Sequence, residues 1–202
     1  VTDSSVAAVS EIVRAIRRRL DQSTDTLLVA IDGHSGAGKS RLAANVAAEV
    51  EGVVVDGDDF YAGDPASEWD ARTVADDAER CIDWRRLRRE ALEPLLPRRA
   101  ASWHPYDWET GGGLVPQLTS RQPASIVILD GVYSARPELA DLVSLSVLVE
   151  SPPEVRRARV ARRDGGIDGW YERWDAAERH YLTRVRPPGS FDLVVANAEP
   201  IE

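Results

Sequence analysis

Residues 27–40 read LLVAIDGHSGAGKS, and this stretch decides the fold. Leu27 to Ile31 form an unbroken apolar run closed by Asp32, the pattern of a strand buried on both faces of a parallel sheet. Gly33-His34-Ser35-Gly36-Ala37-Gly38-Lys39-Ser40 then matches G-x-x-x-x-G-K-[ST], and RLAANVAAEV at 41–50 reads as a helix. Strand, glycine-rich turn and helix in that order aim backbone N–H groups and the positive end of a helix at one point. That arrangement receives phosphate.

The glycines let the backbone wrap closely around the phosphates. Lys39 would reach the β- and γ-phosphates, and the Ser40 hydroxyl would bind Mg²⁺. The nucleotide-binding set is therefore Gly33, Ser35, Gly36, Ala37, Gly38, Lys39, Ser40 and Arg41. Lys39 is the single Lys among 25 basic residues. A guanine-reading N-K-x-D motif needs a second Lys, so a Ras-type GTPase is excluded. No L-S-G-G-Q signature of an ABC-type ATPase occurs either. What remains favours a kinase.

Outward from the loop, further apolar runs alternate with helical patterns. VVVD at 53–56, SIVILDG at 125–131, LSVLVE at 145–150 and FDLVVAN at 191–197 read as strands. Residues 5–20, 66–97 (in at least two pieces), 152–164 and 166–185 read as helices. The aromatic- and glycine-rich stretch 98–124 reads as an irregular hairpin or flap. The expectation is one α/β domain over residues 1–202, a three-layer P-loop fold with a mainly parallel sheet. It carries an insertion at about 62–124 and a helical lid at about 156–174.

Strand ends share one edge of a parallel sheet, so the acids after the second strand would face the phosphate loop. Within Val55-Asp56-Gly57-Asp58-Asp59-Phe60-Tyr61, a carboxylate there would take the proton of an attacking hydroxyl and help hold Mg²⁺. Asp130, ending SIVILD, stands as a second carboxylate for metal or water. Arg156, Arg159 and Arg163 share one helix face by their i, i+3, i+7 spacing. Arg159 and Arg163 are the candidates to stabilise charge on the transferring group, with Gly165 and Gly166 as a hinge. His34 reads as incidental; Trp170, Tyr171 and Trp174 would stack on a base or pack the lid, with packing the favoured reading.

These residues resemble the uridine kinase and phosphoribulokinase-like group of P-loop kinases. GHSGAGKS is similar to that group's phosphate loop, and Asp58-Asp59-Phe60-Tyr61 to its Asp-x-Phe-Tyr motif. The resemblance assigns the catalytic base, with a share in the metal, to Asp58 rather than Asp59. Cys81-Ile82-Asp83-Trp84 resembles the segment whose Asp holds ribose hydroxyls, which implies Asp83. Pro105-Tyr106-Asp107-Trp108 resembles the hairpin near the base, which brings in Tyr106 and Trp108 beside Tyr61. Leu129-Asp130-Gly131 resembles a strand ending in Glu-Gly, and Arg162-Arg163-Asp164 the start of the lid. The lid here departs from the group's Arg-Gly-Arg pattern, with Arg173 as a loose counterpart.

The resemblance implies ATP and Mg²⁺, and transfer to the 5′-hydroxyl of a ribonucleoside such as uridine or cytidine. Two other readings stay open. One is a kinase of the same build for pantothenate, a sugar or a natural product; the other is a nucleotide-binding or ATP-hydrolysing regulatory protein. The net charge of −9 runs against nucleic-acid binding. No apolar run nears the ~20 residues of a membrane span, and residues 11–20 do not read as a signal peptide. One cysteine, Cys81, excludes an internal disulfide and points to a reducing, cytoplasmic setting. The expected partner is a small acceptor molecule; self-association into a homo-oligomer is left open.

Overall fold

The computed structural model describes residues 3–167 and 169–198. Asp168, inside the expected lid, and the extreme termini of the 1–202 domain lie outside the described residues. Five strands make one parallel sheet: β1 (Leu27–Asp32), β2 (Val53–Asp56), β5 (Ile126–Asp130), β6 (Leu145–Glu150) and β7 (Leu193–Ala196), in the order β2-β5-β1-β6-β7. A short antiparallel pair, β3 (Ala101–Trp103) and β4 (Thr119–Arg121), forms the expected hairpin.

The central strands β1 and β5 are buried at every position, as a strand covered on both faces must be. Alternation along β1 splits the core in two. Leu27, Val29 and Ile31 pack with the helices α1 (Asp3–Leu20) and α2 (Lys39–Val50). Leu28 and Ala30 pack on the other face, with Phe60, Leu87, Leu92, Trp103 and Tyr181. That second layer is built by α3 (Ala66–Asp70), α4 (Val74–Arg80), α5 (Trp84–Leu87) and α6 (Glu93–Leu95), the last two joined by a π-helical turn. Two longer helices follow β6: α7 (Pro153–Asp164) and α8 (Gly169–His180). Gly165, at φ 77°, caps the end of α7, where a residue without a Cβ adopts the left-handed conformation freely. Among the described residues, no helix is long and apolar enough to cross a membrane.

The register puts Asp56 beside Asp130 and Ile31 beside Asp130. Three strands thus deliver Asp32, Asp56 and Asp130 to one edge of the sheet, where the phosphate loop also begins.

Candidate active site

The loop from Gly33 to Ser40 is held by contacts that admit no side chain at two of its glycines. A Cβ on Gly33 (φ 138°) would lie 2.4 Å from the Val149 carbonyl oxygen, and one on Gly36 (φ 75°) 2.5 Å from that of Arg156. Gly38 takes φ 88° immediately before α2. Ala37 is fully buried, and its carbonyl accepts the Asn197 side-chain amide at 2.8 Å. Lys39 is buried and donates to the His34 carbonyl at 3.0 Å, folding its ammonium back over the loop.

Beneath the loop sits Asp32, fully buried. It accepts from the amides of Gly33 (2.7 Å), Tyr133 (3.0 Å) and Ala135 (2.9 Å) and from the Tyr181 hydroxyl (2.9 Å). Burial raises its pKa, and these hydrogen bonds work against the rise. Asp32 ties the loop to the segment after β5. It was not among the residues expected from sequence, because a strand-ending Asp carries no local sign of its partners.

A cleft opens over the loop. Its phosphate half is lined by Ser35, Gly36, Gly38, Lys39, Ser40 and Arg41, with Asp58, Asp130, Arg159 and Arg163 around them. Asp130 is buried, close enough to Ser40 for a side-chain hydrogen bond, and its Oδ1 has no hydrogen-bond partner. Burial raises its pKa, opposed first by the Lys39 charge. A buried carboxylate oxygen without a partner, next to a hydroxyl, is a donor set that suits Mg²⁺. Ser40 and Asp130 therefore fit the metal expected there.

Asp58 lines both halves of the cleft. Its surface is open to the cleft, but it lies deep among protein atoms, and that desolvation raises its pKa against the pull of Lys39 and Arg163. Asp56 caps the short turn Gly57–Phe60 by accepting from the Asp58 amide. Burial, then the neighbouring Asp58 charge, lifts the Asp56 pKa to about 7. Asp59 is turned away: its carboxylate accepts from Trp103 Nε1 at 2.7 Å.

The arginines of α7 divide. Arg163 lines both halves of the cleft and pairs with Asp164. Arg159 donates to the Gly36 carbonyl at 3.0 Å, bracing the loop. Arg156 does not join them in the cleft: it is buried and paired with Asp175 of α8 at 3.1 Å. Arg173, the loose lid counterpart, binds Asp77 and the Trp69 carbonyl instead of facing the phosphates.

The acceptor half, about 770 Å³, is walled by Trp108, Trp170, Tyr171 and Trp174 beside Asp58 and Arg163. Trp108 Nε1 donates to the Asp58 carbonyl at 3.2 Å, fixing that indole to the candidate base. Tyr61 lines a narrower recess next to Asp58 and stacks on Trp69. Tyr106 packs edge-on against Tyr61 and is not among the residues lining the cleft. Asp83 is not there either: it is exposed at the N-cap of α5, where its carboxylate accepts the Arg86 amide at 3.0 Å. Trp170 and Trp174, expected to pack the lid or to stack on a base, pack against each other and also form the cleft wall.

Glu178 went unnoticed in the sequence. Buried on α8, it accepts from the Ser35 amide (2.9 Å) and hydroxyl (2.5 Å) and lies 3.1 Å from His34 Nδ1. His34 is therefore engaged rather than incidental.

A parallel sheet with helices on both faces and a phosphate loop after its central strand make a three-layer α/β P-loop fold. Solved structures agree. The chain is similar to a possible uridine kinase from Bacillus stearothermophilus, with 17% identity, a TM-score of 0.70, and 94% of this chain and 97% of that one covered. It is similar also to a candidate fructose transport system kinase from Silicibacter sp. TM1040, with 21% identity, a TM-score of 0.70, and 92% and 98% covered. No protein-family model matches the chain, and no curated protein matches it. At these identities the likeness establishes the fold.

Proposed function

We propose that this chain is an ATP-dependent phosphotransferase that moves the γ-phosphoryl group of ATP onto the hydroxyl of a small molecule. The observation that carries the reading is Asp58, which borders the phosphate half and the acceptor half of one cleft at once. A carboxylate there lies between the two reactants, where it can receive the proton of an attacking hydroxyl. Asp58 takes the proton from the acceptor hydroxyl as the oxygen attacks. Lys39 and Arg163 offset the charge on the transferring group, while Arg159 keeps the loop in shape for in-line attack. Mg²⁺, when bound with ATP at Ser40 and Asp130, with Asp58 direct or through water, supplies Lewis-acid stabilisation of the phosphate oxygens.

The acceptor is the finer part of the proposal. A ribonucleoside phosphorylated at its 5′-hydroxyl is what the resemblance implied, and that reading leaned on Asp83 to hold the ribose. With Asp83 at a helix N-cap outside the cleft lining, an alcohol of another class becomes the leading acceptor. A cytoplasmic setting suits the single cysteine, which is free.

The test is ADP release from ATP·Mg²⁺ with a panel of nucleosides, sugars, pantothenate and amino alcohols, beside Asp58→Asn and a no-acceptor control. Acceptor-dependent release that Asp58→Asn abolishes, while ATP still binds, supports the reading. Slow hydrolysis indifferent to every acceptor and to Asp58→Asn moves the regulatory, non-kinase reading ahead.

A further inference from the structure

The two halves of the cleft differ in charge. The phosphate half sets Lys39, Arg41, Arg159 and Arg163 against Asp58 and Asp130. The acceptor half sets Asp56, Asp58, Asp59, Asp164 and Asp175 against Arg163 alone. Some of these acids are occupied: Asp164 by Arg163, Asp175 by Arg156 and Arg179, Asp59 by Trp103. Asp56 and Asp58 have no ion pair among the described residues. An anionic acceptor would find Arg163 as the one cation among these lining residues, whereas a cationic one would face several carboxyl groups.

The aromatic wall favours the same charge. Trp108 and Trp174 lie 6.1 Å apart with planes at 73°, and Trp170 and Trp174 6.5 Å apart at 70°. Trp108 and Trp170 each meet Trp174 at a steep angle rather than in a parallel stack. They form a corner, whose faces enclose a rounded group and carry the negative side of the ring quadrupole. Trp108 is 50% exposed and Trp170 44%, so large apolar surface stays open to the cleft. Behind this wall the Trp170 ring already neighbours a cation: the Arg173 guanidinium, which does not line the cleft, lies 5.9 Å from it, its charge met by Asp77.

Resting on the phosphotransferase reading, we propose that the acceptor is an amine-bearing alcohol whose ammonium group sits in the corner of Trp108, Trp170 and Trp174 while its hydroxyl reaches Asp58. The oxygen–γ-phosphorus bond forms as the bond to the β-phosphate oxygen breaks; ADP leaves, and the hydroxyl proton passes to Asp58.

The experiment has two arms. In the first, ADP release is compared for choline, ethanolamine and glucosamine, for 3,3-dimethylbutanol as the uncharged isostere of choline, and for uridine and pantothenate. The expected result is that at least one amine is turned over, and that choline exceeds its isostere by about thirtyfold in kcat/KM, the scale of one desolvated cation–π contact. In the second arm, tetramethylammonium binding is followed by saturation-transfer NMR in wild type and in the exposed-position variants Trp108→Leu and Trp170→Leu. Binding that each variant weakens supports the proposal without needing turnover. Uridine or pantothenate outperforming every amine overturns it and leaves the phosphotransferase reading intact. Turnover with no acceptor, unaffected by Asp58→Asn, defeats the phosphotransferase reading. Failure of tetramethylammonium to bind overturns the cationic corner in either case.

Discussion

Glu178 of α8 grips Ser35 of the phosphate loop twice, through the amide at 2.9 Å and through the hydroxyl at 2.5 Å. A hydrogen bond to a charged group contributes about 1.5–3 kcal/mol, and an orphaned buried donor adds its own penalty. Glu178→Ala should therefore lower unfolding stability by about 3 kcal/mol in urea titrations. It should also weaken ATP·Mg²⁺ binding in calorimetry, because Ser35 and His34 lose their fixed direction. Glu178→Gln, which keeps an acceptor oxygen, should recover part of both. Unchanged ATP affinity in the Ala variant would mean that the nucleotide alone shapes the loop.

Gly36→Ala and Gly165→Ala form a matched pair. Both glycines are left-handed, at φ 75° and 77°, so each substitution carries backbone strain of about 1–2 kcal/mol. At Gly165 a Cβ meets nothing within 4 Å, whereas at Gly36 it meets the Arg156 carbonyl oxygen at 2.5 Å. Gly36→Ala should abolish nucleotide binding and cost clearly more stability; Gly165→Ala should keep ATP affinity within a few-fold. Equal losses in thermal melts would show that strain, not the close approach of α7, dominates.

Asp56 gives the molecule a pH dependence of definite sign. Its folded pKa of about 7 lies above the usual carboxylate range, mainly through desolvation by the surrounding protein and then through the Asp58 charge. The folded state thus holds a proton that the unfolded chain has released. Its contribution is complete below the unfolded value and is lost as pH rises through the folded one. The melting temperature without Mg²⁺ should fall between about pH 5 and about pH 8, and Asp56→Asn should flatten this trend. Asn still serves as a helix cap, so the turn Gly57–Phe60 should survive the change. A melting temperature that rises over this range would contradict the assignment.

Asp32 and Tyr181 test how the loop is tied to the sheet. Tyr181→Phe removes one of four donors to Asp32 and should cost about 1 kcal/mol. Asp32→Asn points an amide N–H₂ at groups that themselves donate, and should cost about 3 kcal/mol or more, with weaker ATP binding. Denaturant titrations of the two variants read the difference directly.

What the sequence made legible was local. The phosphate loop shows because its glycines, Lys39 and Ser40 are consecutive. The five strands show because burial on both faces demands unbroken apolar runs, and Asp58 and Asp130 show because parallel strands end on one edge. Glu178 was invisible, since its partner Ser35 lies 143 positions away and no short spacing encodes the contact. Arg156 followed the same helical spacing as Arg159 and Arg163, yet buried Asp175 draws it under the lid. Asp83 did carry a local signal: an Asp three residues before an amide in a helical first turn is an N-cap, and the structure uses it so. The cleft wall needed tertiary structure, because Trp108 comes from the hairpin insertion and Trp170 and Trp174 from α8.

Trp170, Trp174 and Glu178 recur at intervals of four along α8, so one side of a single rod reaches both the tryptophan wall and the phosphate loop. Helical rise sets Trp174 and Glu178 about 6 Å apart along the axis, and that span gauges the tryptophan wall against the phosphate loop. A single residue inserted between them would turn one through about 100° relative to the other. Length variation in this helix should therefore come in whole turns, leaving the loops around it as the places where the chain can lengthen freely.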